Sequence, residues 1–125
     1  MPAIRVAEAE QLLHNSVPAW MLALHLKVRA TTAESATLVM PFDEQLLHAG
    51  RVIAGPALMA LADTAMVIAL WSAFGGFRLV ATIDLTTTFM RPVTHSAVVA
   101  EATVWRLGRT LGCCHVQLLT DTAER

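Results

Sequence analysis

Charge is scarce in this chain, and neither sign predominates. Nine basic and ten acidic residues among 125 give a formal net charge of −1, and the basic residues are scattered rather than clustered. Proteins that bind nucleic acid or an acidic membrane surface concentrate lysine and arginine on one face. The composition therefore predicts neither of these partners.

Cysteine is also rare, since Cys113 and Cys114 are the only two and they are adjacent. Neighbouring residues of a strand point to opposite faces, so this pair suits neither a disulfide framework nor a metal site, and we interpret both as packing residues. The histidines are too dispersed to predict a metal site. A secretory signal is not apparent, because residues 1–10 mix charged and apolar side chains, and we predict a cytoplasmic protein.

Apolar residues are abundant instead, at 55% of the sequence. A chain of this length is predicted to form one domain over residues 1–125, without internal repeats or linkers. So much apolar surface on a small domain favours oligomerisation.

The longest apolar run, from Gly55 to Gly76, contains one charged residue, Asp63. Pro56 suits a first helical turn and the two final glycines suit a stop, so we predict a helix over about residues 56–74. This helix is apolar all round and must be enclosed by protein or lipid. A membrane span is the alternative, but a central Asp, the absence of flanking basic clusters and the neighbouring strands argue against it.

The remaining pattern is mostly that of strands. Residues 5–14 have helical spacing, whereas the later segments alternate apolar and polar side chains or are rich in β-branched residues. The predicted strands cover residues 22–29, 35–42, 79–90, 97–107 and 111–120, the last two joined by a turn at Gly108 and Arg109. Antiparallel strands in this order, with one long helix inserted, predict an α+β protein whose sheet is wrapped around that helix.

Three segments in order carry a resemblance to a known family: VIAGPALMALADTAM from residue 52, TIDLTTTFMRP from residue 82 and RLGRTL from residue 106. Over roughly residues 20–120 the chain resembles the hotdog-fold acyl-CoA thioesterases of the phenylacetate-pathway (PaaI-like) type. The resemblance implies a hotdog fold. It also implies a further strand after a turn near residue 121, which the given 125 residues do not contain, so either this branch of the family is short or the sequence is a fragment.

The family motif is His-Gly-Gly, six residues, and then an acidic residue. Counting back from Asp63 places Ala54, Gly55 and Pro56 at the first three positions, so the histidine is missing. Six positions before it, where the family often has Asn, this chain has His48.

Further positions follow from the same resemblance. Thr82 falls where the family has a Ser or Thr near the attacking water. Arg106, Gly108 and Arg109 fall in a segment that tends to meet the CoA phosphates.

The residues themselves suit thioester hydrolysis, which needs a base or nucleophile and donors for the developing negative oxygen. Asp63 is predicted to be the base or nucleophile, with His48 or Thr82 near it, and the Gly55 N–H at the helix start to be the oxyanion donor. About 12 Å of helix separates Gly55 from Asp63, which is too far for one reacting group. We therefore predict a homodimer whose sites combine Gly55 of one chain with Asp63 of the other, and a homotetramer made of two such dimers stays open.

The predicted activity is hydrolysis of an acyl-CoA or aryl-acyl-CoA thioester, without metal or cofactor, CoA being part of the substrate. Two other functions stay open: a non-catalytic acyl-CoA-binding domain, and a hotdog hydratase or dehydratase, although no histidine follows Asp63 at a suitable spacing. The site residues also have structural alternatives: a hydrogen bond to the backbone of a neighbouring strand for Asp63, close packing for Gly55, a strand position for Thr82 and a surface loop for His48. For Arg106 and Arg109 the alternative is a solvated surface position.

Overall fold

The computed structural model describes residues 3–121. Two helices open the chain, α1 (Val6–Ser16) and the short α2 (Ala19–Leu22), followed by strands β1 (Lys27–Thr32) and β2 (Ser35–Met40). A 3-10 turn (Glu44–Leu46) leads to the long helix α3 (Gly55–Phe74), and strands β3 (Val98–Leu107) and β4 (Gly112–Thr120) complete the order.

The four strands form one antiparallel sheet in the order β1-β2-β3-β4. Helix α3 packs across the sheet, chiefly on β2 and β3, and every second residue of β2 is buried. Small residues on β3, Ala100 and Ala102, allow the helix to approach closely, and Leu61 and Ile68 fill the space from the helix side. Each of these two large side chains contributes about 1.5–3 kcal/mol through burial. The predicted α+β fold, an antiparallel sheet around one central helix, is confirmed.

Helix α3 ends as the sequence predicted. Gly75 adopts the left-handed conformation at φ 83°, and its N–H and that of Gly76 donate to the Trp71 carbonyl at 2.9 and 3.0 Å. The two buried hydroxyls of the helix are satisfied, since Thr64 donates to the Ala60 carbonyl and Ser72 donates to the Thr32 carbonyl of β1. The apolar helix therefore holds its polar side chains without unpaired donors.

The Gly55–Phe74 helix has a mean hydropathy of 1.8 and is long and apolar enough to cross a membrane. Among the described residues one helix meets these criteria. Half of it is buried inside the domain, where it faces the sheet. A core helix meets the same criteria of length and composition.

The predicted start of the strand over residues 22–29 is wrong. Residues 19–22 form α2, and β1 begins only at Lys27. His25 adopts a left-handed φ of 54° between them, which interrupts an extended backbone. Of the alternating leucines over residues 22–26, Leu22 is exposed and Leu26 is buried, so they do not form one buried strand face.

The strand predicted over residues 79–90 is also not observed. We call residues 79–91 the exposed strip, because most of its side chains are open to solvent. Within residues 3–121, it forms no backbone–backbone hydrogen bond, so it has the composition of a strand but no neighbour to pair with.

The exposed strip runs back along α3. The Trp71 indole N–H donates to the Arg78 carbonyl just before the strip, the Thr82 hydroxyl bonds Asp63, and the Phe89 ring lies against Gly55. Thr82 and Phe89 both face the helix although they are an odd number of residues apart. Strict alternation is therefore not kept along the strip.

Candidate functional site

Asp63 lies half-buried on α3. The Thr82 hydroxyl donates to its Oδ1 at 2.5 Å, and no basic side chain within residues 3–121 forms a salt bridge with it. Its Oδ2 has no hydrogen-bond partner in the same part of the chain. The carboxylate is thus held by one oxygen and offers the other to a ligand.

The N-terminus of α3 presents a free donor. Ala54 is the N-cap and has no side-chain cap, while its own N–H donates to the Leu46 carbonyl at 2.9 Å. Gly55 is the first helical residue and is followed by Pro56, which has no N–H. Among the hydrogen bonds of residues 3–121, the Gly55 N–H has no acceptor. It can therefore donate to a negative oxygen, where the helix dipole also favours negative charge.

An open cavity of about 320 Å³ lies in front of this N-terminus. Its lining residues come from the loop before α3, the start of α3 and the strip with the residues after it: His48, Val52, Ile53, Gly55, Leu58, Phe89, Met90, Arg91, Pro92 and Val93. A side chain at Gly55 would put its Cβ 3.4 Å from the Phe89 ring. A smaller hollow of about 40 Å³ lies beside α1.

His48 reaches this cavity from a tight turn. Its N–H donates to the Val52 carbonyl, and the Arg51 N–H donates back to the His48 carbonyl at 2.9 Å, with Arg51 in the left-handed region at φ 65°. The imidazole Nδ1 accepts a hydrogen bond from the Gly50 N–H at 2.8 Å. His48 and Gly55, two predicted site residues, therefore line one cavity.

Arg106, Gly108 and Arg109 lie together at the β3–β4 hairpin. Both guanidinium groups are exposed, and neither has an acidic partner within the described part of the chain. Gly108 closes the turn, since its N–H donates to the Leu111 carbonyl at 2.8 Å and a Cβ there would meet that oxygen at 2.9 Å.

An aromatic pair lies beside Arg106. Trp105 and His115 stack with ring centroids 4.8 Å apart and planes within 3°. The indole is 67% exposed, so much of its surface is open to a ligand. Sequence reasoning missed this pair because its partners come from different strands, and only the register Thr103↔His115 brings them together.

The cysteines follow their strand positions. Cys113 is exposed, whereas Cys114 is half-buried, and both are free. Burial, together with the neighbouring Cys113, raises the pKa of the Cys114 thiol to about 11. No group of three or more His, Cys, Asp or Glu side chains suited to a metal ion occurs among the described residues.

The predicted site residues thus fall into separate groups within one chain. Asp63 and Thr82 form the first group, Gly55 and His48 the second, and the hairpin residues the third. Two helical turns and more separate the first two groups, about 12 Å at 1.5 Å per residue. Arg91, which also lines the cavity, was not predicted as a site residue.

The comparisons with known proteins agree with this architecture. The profile of the thioesterase superfamily matches residues 50–124, more than half of the chain, and the chain belongs to that family. The PaaI protein from the phenylacetic acid degradation operon of E. coli is similar in structure, with a TM-score of 0.78 and 26% identity over 94% of this chain and 86% of that protein. The resemblance to PaaI-like hotdog thioesterases is confirmed.

Two further structures share the fold at lower identity. Zebra fish thioesterase superfamily member 2 has a TM-score of 0.84 and 20% identity, covering 98% of this chain and 91% of that one. A thioesterase of Haemophilus influenzae has a TM-score of 0.79 and 22% identity, covering 97% and 85%. No curated protein sequence matches. Family membership and these neighbours support thioesterase activity in general.

Proposed function

We propose that this protein hydrolyses an acyl-CoA or aryl-acyl-CoA thioester to the free acid and CoA. The observation that carries the proposal is the pairing of Asp63 with Thr82, which leaves one carboxylate oxygen available on a half-buried helix face. No metal or organic cofactor is needed for this chemistry. We further expect the enzyme to be cytoplasmic.

Asp63 can act in either of two ways. As a base, its Oδ2 takes a proton from water while the water oxygen attacks the thioester carbonyl carbon; the C–S bond then breaks, and the proton passes to the CoA sulfur. As a nucleophile, Oδ2 forms the bond to that carbon itself and expels CoA thiolate, and water then hydrolyses the acyl-aspartate anhydride. In both cases the Thr82 hydroxyl fixes the orientation of the carboxylate.

The Gly55 N–H stabilises the oxygen that becomes negative when the carbonyl is attacked. Its position at the start of a 20-residue helix supports this role, as does its lack of an acceptor within residues 3–121. The cavity of about 320 Å³ beside it is lined mostly by apolar side chains and suits an acyl or aryl group.

The separation of about 12 Å between Asp63 and Gly55 supports a site that a second copy of the chain completes. The exposed strip supports such a dimer, because its backbone is unpaired within the described residues and its apolar side chains Leu79, Ile83 and Met90 are 79–91% exposed. An unpaired segment with the composition of a strand pairs readily with another chain, and pairing with its own copy across a two-fold axis closes the interface. Pairing of such dimers into a tetramer is also compatible with the chain.

The hairpin residues Arg106 and Arg109, together with the main chain at Gly108, are proposed to hold the CoA phosphates. Two guanidinium groups that have no acidic partner within residues 3–121 suit bidentate phosphate binding, and the exposed Trp105 lies next to Arg106.

The proposal is tested by mixing two inactive variants. Asp63→Asn removes the base, and Gly55→Pro removes the N–H, so each homodimer should lose thiol release. In a randomly mixed dimer population, one of the two sites of each heterodimer is intact, and about a quarter of the wild-type rate should return. A mixture that stays inactive would contradict a shared site, and full activity of folded Asp63→Asn would contradict the role of Asp63.

A non-catalytic acyl-CoA-binding protein is the second candidate, favoured by Ala54 at the position of the motif histidine. A panel of acyl-CoAs separates the functions. Thiol release marks hydrolysis, binding without turnover marks the second candidate, and a change in enoyl absorbance without thiol marks a hydratase.

A further inference from the structure

We infer that Gly50 is a positioning residue that holds the His48 imidazole as a donor to the thioester carbonyl oxygen. This inference rests on the proposed function. It adds a second donor to the Gly55 N–H in the same cavity, in a chain that lacks the motif histidine at Ala54.

The hydrogen bond between the two residues determines which ring nitrogen carries the proton. The Gly50 N–H donates to Nδ1 at 2.8 Å, so Nδ1 is an acceptor and the neutral imidazole carries its proton on Nε2. Nε2 has no hydrogen-bond partner within residues 3–121. The nitrogen that remains for a ligand is therefore a donor, which is what a carbonyl oxygen gaining negative charge requires.

The observed position of the His48 imidazole also depends on the absence of a side chain at position 50. A Cβ on Gly50 would meet His48 Cε1 at 2.6 Å and Nδ1 at 3.1 Å, and no atom of another residue is among its nearest contacts. Gly50 does not have a positive φ, so its backbone accepts alanine. An added methyl group would therefore displace the imidazole, the flexible end of a side chain, without straining the main chain.

This contact allows the position of the His48 imidazole to be changed without changing the stability of the fold. Gly50 and His48 are both exposed, so little core packing depends on them. A Gly50→Ala variant should fold normally, lose the hydrogen bond to Nδ1 and leave His48 in other rotamers. The donor at the cavity would then be lost although every proposed catalytic residue is still present.

The test is a double-mutant cycle on thiol release from an acyl-CoA. We expect Gly50→Ala and His48→Ala each to lower kcat about tenfold or more with a smaller change in KM, because the donor acts on the transition state. In the double variant, Gly50→Ala should add nothing to His48→Ala, since the ring it displaces is absent. Gly76→Ala is the matched control, because a Cβ there meets nothing within 4 Å.

A spectroscopic readout is independent of activity. Nitrogen chemical shifts of His48 should report a proton on Nε2 in the wild type and a mixture of both tautomers in Gly50→Ala. Equal losses of kcat from Gly50→Ala with and without His48 would overturn the inference, as would an unchanged kcat in His48→Ala. If the wild type releases no thiol from any acyl-CoA, the proposed function itself fails, and the nitrogen shifts still decide whether Gly50 sets the tautomer.

Discussion

Replacing Gly55 with proline removes its N–H group and adds a ring whose Cβ, like that of alanine, would lie 3.4 Å from the Phe89 ring. Gly55 is the first residue of α3, where proline is well tolerated because its N–H would have no helical partner. The preceding residue, Ala54, has φ −65° and ψ 139°, which is the conformation that a following proline demands. The fold should therefore accept the change, with an unfolding free energy within about 1 kcal/mol of the wild type.

The effect on hydrolysis should be large by contrast. Loss of one oxyanion donor lowers kcat by about 10²–10³, equivalent to about 2.7–4 kcal/mol of transition-state stabilisation. Thiol release under saturating acyl-CoA measures kcat, and thermal unfolding checks the fold. Gly55→Ala is the control, because it retains the N–H and puts its Cβ 3.4 Å from the Phe89 ring, a contact that a small shift relieves. A folded Gly55→Pro enzyme with wild-type kcat would refute the role of this N–H.

Three further predictions concern other parts of the molecule. Thr82→Val should lower kcat about tenfold by releasing Asp63, whereas Thr82→Ser, which keeps the hydroxyl, should stay near the wild-type rate; equal rates in both would contradict the contact. Arg109→Gln should raise KM for acyl-CoA several-fold with little change in kcat, and the increase should vanish with a substrate that lacks the nucleotide part. Since folding raises the pKa of Cys114 from 9.0 to about 11, its stabilising contribution should be complete below pH 9 and decline as pH rises through 11. Unfolding of Cys114→Ala over this range should show a shallower decline, and at pH 8 a thiol reagent should modify Cys113 before Cys114.

Local signals in the sequence were sufficient to predict the central helix and the strands of the sheet. Pro56 and the paired glycines predicted the ends of α3, because the effect of each residue depends on its own backbone conformation. Strands β2 to β4 were predicted from the alternation that one buried face imposes on a strand. Residues 79–90 have the same alternation, yet no strand of the described chain lies beside them. A pattern of side chains predicts an extended backbone, but whether it is paired depends on what lies next to it.

The candidate site was only partly predictable for the same reason. Asp63 was identified because a lone charge in an apolar helix requires an explanation, and its contact with Thr82 follows from the strip running back along that helix. Gly50 was not identified, since a glycine in a loop has many possible causes. Only the position of the His48 ring against Gly50 shows which of these causes applies.

The exposed strip has a consequence for kinetics. One end of it contacts Asp63 through Thr82, and the other end covers Gly55 through Phe89. In a dimer whose sites combine Asp63 of one chain with Gly55 of the other, each strip would extend from one active site to its twin. Substrate that moves Phe89 in the first site would then shift the hydroxyl that orients the base in the second, and the two sites would work cooperatively rather than independently.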